Sequence, residues 1–346
     1  MQISNPQLAP GVHFYRRSDT WMQIGINPNS SLIIESHIGM SLSKLLNGDS
    51  SLTKICDALA ESGIDQSSSQ NFLAQLTHLG LLISGPTSQT HDDKNPVSPI
   101  QLHNMYRETS GDLAAIKSRI ECEISITGAG RLGTTLCLVL ASSGFPNITI
   151  HDAGLVREGD ITPWGASRID IGLRRDQIAR QLIERFTRGA SAHQNHFRYR
   201  SKRKLEILLP DQRADFPWLD ATSADHLAAN DVPYLFAATS ANSSLISSVI
   251  SPGKDPCLRC QHLHRCDQDP DWPLIDLQVA HQAPLDTAPI SLIMRTALEI
   301  QHKIQRWIDL PEIASPSIRH LSEIGPDETY PTHFHPSCGC RWDLTD

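Results

Sequence analysis

The chain has 346 residues, of which 39% are hydrophobic and 20% charged, and a net charge of −8. That length allows two domains with separate cores, and the acidic balance counts against a nucleic-acid binder that works by neutralising phosphates. The start, "MQISNPQLAPGVHFYRR", lacks the apolar core of a signal peptide, and no apolar run approaches the roughly 18 residues of a membrane span. A cytoplasmic protein with no membrane partner is expected, with its eight cysteines as reduced thiols.

Residues 10–35 alternate apolar and polar side chains around the turn signals Ser18-Asp19 and Asn27-Pro28-Asn29, which predicts two or three short strands. The next stretches, "SLSKLLNGDSS", "SLTKICDALAESGID" and "SQNFLAQLTHLGLLIS", have helical spacing. Leu52, Ile55 and Leu59 share one face, Phe72, Leu73, Leu76 and Leu79 another, and Gly63 and Gly80 stand where helices stop. A small sheet with three helices is a winged-helix pattern, so 1–85 is read as a winged-helix domain of α+β type. Residues 85–101 are polar, contain prolines and lack periodicity, so they read as a linker; 86–120 comprises linker and a helix from about 102 to 118.

From 121 onward strands and helices alternate: strand 124–126, a helix, strand 148–150, helical "DIGLRRDQIARQLIERF", then strand-like 206–210, 214–222 and 232–239. Such alternation predicts an α/β, Rossmann-like, mostly parallel sheet with helices on both faces. The basic stretch "FRYRSKRK" (197–204) reads as a solvated hairpin or helix end. The C-terminal part is rich in Pro, His and Cys, with one clear helix over 288–309.

"ITGAGRLG" places Gly128, Gly130 and Gly133 between a strand and a helix. Glycines there permit a tight turn and close approach of a ligand to backbone N–H groups at a helix N-terminus. Asp152 follows the second strand, where an acid accepts ribose hydroxyls. A dinucleotide for redox chemistry, an ATP for activation chemistry, and a turn that binds nothing all satisfy this pattern.

Cys257 and Cys260 form a C-x-x-C pair, and Cys338 and Cys340 a C-x-C pair around Gly339. Four thiolates in two close pairs suit a structural Zn2+ that ties the C-terminal tail to the domain. His335 is an alternative to one sulfur, and bystander thiols or a redox C-x-x-C are the competing readings. Cys266 lies outside both pairs and reads as a packed thiol, with a catalytic thiol as the alternative; Cys56, Cys122 and Cys137 read as core. His262, His264 and Arg265 read as a hydrogen-bonded frame around the knuckle, and Trp272-Pro273 as the packing that caps it.

With glycine loop and cysteines together, residues 121–346 resemble the ThiF/MoeB/HesA superfamily, relatives of ubiquitin-activating enzymes. The resemblance rests on "ITGAGRLG", "LCLVLASSGF", "ITIHD", "DIGLRR" (170–175) and the four cysteines. It implies ATP with Mg2+, and activation of a peptide carboxylate as an acyl-adenylate. "PCLRCQHLHRCDQDPDWP" with "HPSCGC" is similar, more narrowly, to a bacterial subgroup associated with thiazole/oxazole-modified peptides, in which an N-terminal winged helix binds the leader of a precursor peptide. The resemblance implies a leader strand added near Val12–Tyr15 and Met22–Ile26, against the helix around Phe72–Leu79. It also implies a partner such as a YcaO-type cyclodehydratase, and a homodimer supported by the long C-terminal helix.

The chain departs from the adenylating pattern after Asp152. Gly154 stands at the second acid, Asp160 at the Asn, Pro163-Trp164 at the Arg-Gln pair, and Arg175 at the Lys of "DIG..K". The magnesium segment has only Asp220 or Asp225 to offer, neither followed by Asn. Losing a cation and an Asn that stabilise the transition state removes roughly 10²-fold in rate with each. The expectation is a scaffold that binds a leader peptide with weakened or lost adenylation, the alternative an active adenylyltransferase. In the latter Asp152 holds ribose and Arg175 phosphate, and Arg131, Arg168 or Arg174 replaces the missing arginine. A nicotinamide oxidoreductase rests on the glycine loop alone and lacks a second catalytic constellation.

Overall fold

The computed structural model describes residues 5–9, 11–84, 105, 113–185, 203–309 and 315–341. The chain divides into two compact units, Met1–Ile116 and Lys117–Asp346. The expected linker and the first six residues of the basic stretch lie outside the described residues.

The first unit opens with β1 (Pro6–Leu8) and continues through β2 (Phe14–Arg16), β3 (Trp21–Ile24) and β4 (Leu32–Glu35). The last three form an antiparallel sheet in the order β2-β3-β4. Its turns follow from side chains that cap their own backbone: Ser18 Oγ accepts from the N–H of Thr20 and Trp21, and Asn27 Oδ1 from that of Asn29. Alternation puts Ile24 and Ile34 inward. Helices α1 (Ser36–Leu45), α2 (Leu52–Glu61) and α3 (Gln66–His78) follow, and β5 (Leu82–Ser84) returns to pair with β1. Ser51 and Asp65 N-cap α2 and α3. Their apolar stripes meet in one core of Leu42, Ile55, Leu59, Leu73, Leu76 and Leu82.

Helix α4 (Leu113–Glu121) spans the division between the units, and the second unit continues with β6 (Glu123–Thr127), α5 (Arg131–Ser142) and β7 (Ile148–His151). Next come α6 (Arg175–Glu184), β8 (Lys204–Leu208), α7 (Asp225–Ala229), β9 (Tyr234–Thr239) and β10 (Ser243–Ser247). The last described elements are α8 (Leu258–Gln268), α9 (Trp272–Ala280), α10 (Ile290–Asp309), β11 (Ser317–Ser322) and β12 (Glu328–Pro331). Among the described residues, the strands of this sheet run in the order β12-β11-β10-β9-β8-β6-β7. β7, β6, β8 and β9 are parallel, and β10, β11 and β12 extend them antiparallel.

β9 is buried along its whole length. Leu235 and Ala237 join a core with α5 and α10, while Tyr234 and Phe236 join a second with Leu227 and Leu258. Burial on both faces is what a central parallel strand requires. α5 is buried nearly all round, and α10 turns Leu292, Ile293, Ala297, Ile300, Ile304 and Ile308 inward at helical spacing.

Two sequence expectations need correction. Residues 214–222 form no strand: Asp220 Oδ1 accepts from the Thr222 N–H, starting a 3-10 turn over Ala221–Ala224 that leads into α7. The Cys/His-rich stretch is helical as α8 and α9, whose side chains carry little amphipathic periodicity because α8 buries just Leu258 and Cys260 and α9 buries no residue.

Candidate functional site

The glycine loop joins β6 to α5 at the carboxyl end of the parallel strands, where open α/β sheets bind ligands. Gly128 has φ +110°, and a Cβ there would sit 1.9 Å from the Leu209 carbonyl oxygen; a Cβ on Gly133 would sit 1.9 Å from the Gly128 oxygen. The close approach of strand and helix itself demands both glycines. Gly130 differs, since its nearest neighbour would be Asp211 Oδ1 at an ordinary 3.5 Å. The lack of a side chain there serves the open side of the loop. α5 has no side-chain cap at its N-terminus, leaving N–H groups directed outward.

Asp152 braces this loop. One carboxylate oxygen accepts from Ala129 N at 2.8 Å and the other from Gly154 N at 2.7 Å. A Cβ on Gly154 would press on Asp152 Oδ1 at 2.9 Å, so a glycine in place of the second acid lets the chain turn tightly around Asp152.

Behind the loop lies a cluster of carboxylates and guanidinium groups. Arg175, the second residue of "RR" in "DIGLRR", is buried. Its Nε and Nη2 donate to the two oxygens of Asp160 at 2.7 and 2.8 Å, and Nη1 to Asp211 at 2.9 Å. Asp152 stands 3.6 Å away. Burial works against the charge of Arg175, but the Asp160 hydrogen bonds and the fields of Asp211 and Asp160 outweigh it, and its pKa is raised. Asp160 is buried as well and also accepts from Arg157 N at 2.8 Å. Thus Asp in the position of the Asn, and Arg in that of the Lys, make one bidentate buried pair. Two apparently separate departures are a single structural unit.

Trp164 has a packing role, while Pro163 is exposed. Trp164 lies against Leu138, Val156, Ile178 and Leu182, and its indole N–H donates to Thr135 Oγ1 at 3.1 Å. Of the other cations, Arg174 is held by Asp176 at 2.8 Å and Arg168 is an exposed residue 3.8 Å from Glu158. Arg131, the first residue of α5, lines the crevice and makes no ion pair with any described residue. Asp220 caps the 3-10 turn and Asp225 opens α7; neither lines the crevice.

The carboxylates that do face the crevice are Asp211, just after β8, and Asp286, before α10. Sequence reading missed both, along with Arg157. The position of Asp211 at the carboxyl end of a predicted parallel strand is the signal that marks it. Residues 282–287 run across the crevice as a strap. Leu285 N donates to Gln212 O at 2.7 Å, Gln212 Nε2 to Thr287 Oγ1 at 2.7 Å, and Thr287 N to Gln212 Oε1 at 3.2 Å. Arg213 donates to the Gln282 carbonyl, and Arg157 Nη2 to Asp286 Oδ1 at 3.2 Å. The remaining cavity, about 40 Å³, admits roughly three waters, whereas small-ligand sites occupy about 300 Å³ or more. Leu285 and Asp286 of the strap narrow the crevice beside Gly130 and Asp211.

The four knuckle thiols converge. Cys257 lies at the N-cap of α8 and Cys260 in its first turn; Gly339, at φ +66°, turns the chain between Cys338 and Cys340. Cys257 Sγ is 3.4 Å from Cys338 Sγ and 3.9 Å from Cys260 Sγ, and Cys260 Sγ is 3.4 Å from Cys340 Sγ. Sulfurs about 2.3 Å from a tetrahedral zinc stand roughly 3.8 Å apart, so the donor set fits that ion. A hydrogen bond from Cys257, the His335 N–H and the other thiols hold the Cys260 thiol below its usual range. His335 frames the knuckle: its backbone N donates to Cys260 Sγ, and Nδ1 accepts from Ser337 N at 3.1 Å. That leaves the proton on Nε2, which donates to Asp267 at 2.9 Å. Although His264, Asp267 and His335 cluster, this tautomer turns a proton, not a lone pair, towards Asp267. Arg265 stacks 3.4 Å over Trp272. Cys266 Sγ is 3.4 Å from His262 Nε2, yet burial and the Asp276 and Asp267 charges push its thiol pKa up, the reverse of an activated nucleophile.

In the first unit a separate cavity of about 320 Å³ is bounded by Val12, Gly25, Ile26, Asn27, Gly80 and Leu81. It adjoins β3 and the end of α3, and among the described residues β2 lies at the edge of its sheet. No helix among the described residues is long and apolar enough to cross a membrane.

A mostly parallel sheet with a glycine loop, an acid after the second strand and a four-thiol knuckle defines a ThiF-like α/β fold. The ThiF family model matches residues 112–294, just over half of the chain, and the protein belongs to the ThiF family. Among solved structures it is similar to Escherichia coli MccB with ATP (15% identity, TM-score 0.61, 97% of this chain and 99% of that one). It is also similar to the microcin C7 biosynthetic enzyme MccB in complex with N-formylated MccA (14% identity, TM-score 0.63, 97% and 99%). The heterocyclase TruD matches at 12% identity and TM-score 0.55, over 97% of this chain and 42% of that one. No curated protein sequence matches the chain.

Proposed function

We propose that this protein is a cytoplasmic ThiF-fold scaffold of ribosomal peptide modification. Its first unit, a winged-helix-like module, captures the leader of a precursor peptide and presents the rest to a separate modifying enzyme, such as a YcaO-type cyclodehydratase. The observation that carries this reading is the buried Asp160–Arg175 pair, which commits the cation at the position of the family Lys to a carboxylate. The edge strand β2 and the cavity beside Val12, Gly25 and Leu81 support the peptide site, because an extended segment adds to an open edge and seats a side chain in a neighbouring pocket. Cys257, Cys260, Cys338 and Cys340 hold a structural zinc. Leu274 and Leu277 of α9, with Met294 and Leu298 of α10, expose apolar surface that fits a homodimer.

Saturable binding of a precursor peptide encoded beside this gene, read by fluorescence anisotropy, is the expected result. Lack of saturable binding to any neighbour-encoded peptide contradicts the reading.

The second reading, ATP-dependent adenylation of a peptide or carrier carboxylate, is favoured by Arg131, a cation beside Gly130 without an ion-pair partner among the described residues. In that reading Gly128, Gly130, Gly133 and Asp152 hold ATP/Mg2+, Arg131 supplies the charge that Arg175 cannot, and Asp225 has no part. Substrate-dependent pyrophosphate exchange that an Arg131→Ala variant loses establishes it.

A further inference from the structure

We infer that residues 282–287 are a gate that shuts the nucleotide crevice from within, with Asp286 occupying the anion position on Arg157 that a phosphate would take. The inference rests on the reading of this crevice as a nucleotide site, and goes beyond it by assigning a closed state and its latch. Arg157 Nη2 donates to Asp286 at 3.2 Å, while its other carboxylate neighbour, Asp211, is 3.4 Å away and already bound by Arg175 at 2.9 Å. Asp286 is therefore the acid most easily exchanged for an incoming anion.

The seat for Asp286 is shaped for it. A Cβ on Gly159 would lie 2.3 Å from its Cβ, Cγ and Oδ2, so no larger residue at 159 leaves Asp286 where it is. Gln212 closes the other side. Its backbone oxygen takes the Leu285 N–H and its side chain both donates to and accepts from Thr287, while Gln212 itself is buried. The strap side chains are half-exposed or exposed, so once these few bonds break the segment leaves without unpacking a core. That is the profile of a locally opening segment on a stable scaffold.

Opening lets a nucleoside triphosphate reach Gly130 and the N-terminus of α5, and its phosphates replace Asp286 on Arg157. With the strap shut most of the time, observed affinity falls by the fraction that is open. Two variants of the full-length protein test this: Gln212→Ala, which removes the side-chain latch, and Asp286→Ala, which removes the internal anion and leaves the Gly159 seat empty. Binding of a fluorescent ATP analogue with Mg2+ is measured alongside hydrogen exchange of the 282–287 amides. We expect both variants to exchange faster in the strap without nucleotide and to bind the analogue about tenfold tighter than wild type, the effect of removing one hydrogen bond to a charged group. If wild type binds and the variants bind equally or more weakly, the gate is overturned and the nucleotide reading stands. If the strap exchanges fast in the variants and none of the three proteins binds, the nucleotide reading itself falls and the gate with it.

Discussion

Two clusters of ionisable side chains in the second unit stand in contrast. In the knuckle, the Sγ atoms of four thiols lie within 4.8 Å of one another, a donor set that could hold a metal ion. In the crevice, Arg175 donates from all three of its nitrogens to Asp160 and Asp211. The first arrangement gathers donors of one kind, suited to a shared cation, while the second pairs its own opposite charges. A site that awaits a ligand leaves its groups mutually repelling or unpaired, and a structural ion pair does not. The contrast marks the knuckle as a donor set that could hold a metal ion, and the Asp160–Arg175 pair as architecture.

The largest expected effect breaks the knuckle half of the comparison. Removing zinc with a chelator, or Cys260→Ser, is expected to lower unfolding stability by about 5 kcal/mol or more and to free the C-terminal tail for proteolysis. Metal analysis should give one zinc per chain in wild type and none in the variant; an unchanged denaturation midpoint after metal loss contradicts a structural ion.

The crevice half is broken by Arg175→Ala, which leaves Asp160 buried without its partner. A loss of about 3–5 kcal/mol is expected in urea denaturation. The double variant Asp160→Asn/Arg175→Lys removes the bidentate pair without stranding a charge of the same kind, and should lose clearly less. Equal losses in the two contradict the coupling of the two positions.

The glycine loop gives a smaller, sharper contrast. Gly133→Ala forces a Cβ into the Gly128 carbonyl and is expected to cost about 3 kcal/mol, whereas Gly130→Ala meets nothing closer than 3.5 Å and should stay within about 0.5 kcal/mol. Differential scanning calorimetry separates them. A large loss for Gly130→Ala would show that all three glycines serve the turn alone.

Acid sensitivity is the smallest effect. Hydrogen bonds from Arg174, the charges of Arg174 and Arg180 and a hydrogen bond from Arg180 hold the Asp176 carboxyl below its usual range, despite burial. The folded pKa is depressed, so its contribution is present above the unfolded value near pH 4 and is lost as pH falls through the lowered one. The stability gap between wild type and Asp176→Asn should therefore shrink from pH 7 to pH 3; a gap that grows contradicts the pairing.

What the sequence made legible follows from the same physics. Gly128 and Gly133 are legible because a backbone oxygen at 1.9 Å admits only glycine, and C-x-x-C because metal geometry fixes its spacing. The continuous apolar run in "VPYLFAAT" displays the central strand directly. β10, "SSLIS", is hidden because its Ser244 and Ser247 are buried through hydrogen bonds to Thr296 and the Phe236 N–H rather than by apolar contact. Asp211, Asp286 and Arg157 are unreadable as a group, since 129 residues separate Arg157 from Asp286 and the crossing of the strap alone brings them together. The meaning of Asp160 and Arg175 likewise emerges only when their 2.7 Å contact is seen.

The most direct test of the central claim is ATP–pyrophosphate exchange measured in the presence of a precursor peptide at a concentration that saturates binding by anisotropy. A protein that presents a leader and no longer adenylates binds the peptide and shows exchange no faster than without it. Peptide-dependent exchange, abolished by Arg131→Ala, would contradict the account and make this chain an adenylating enzyme.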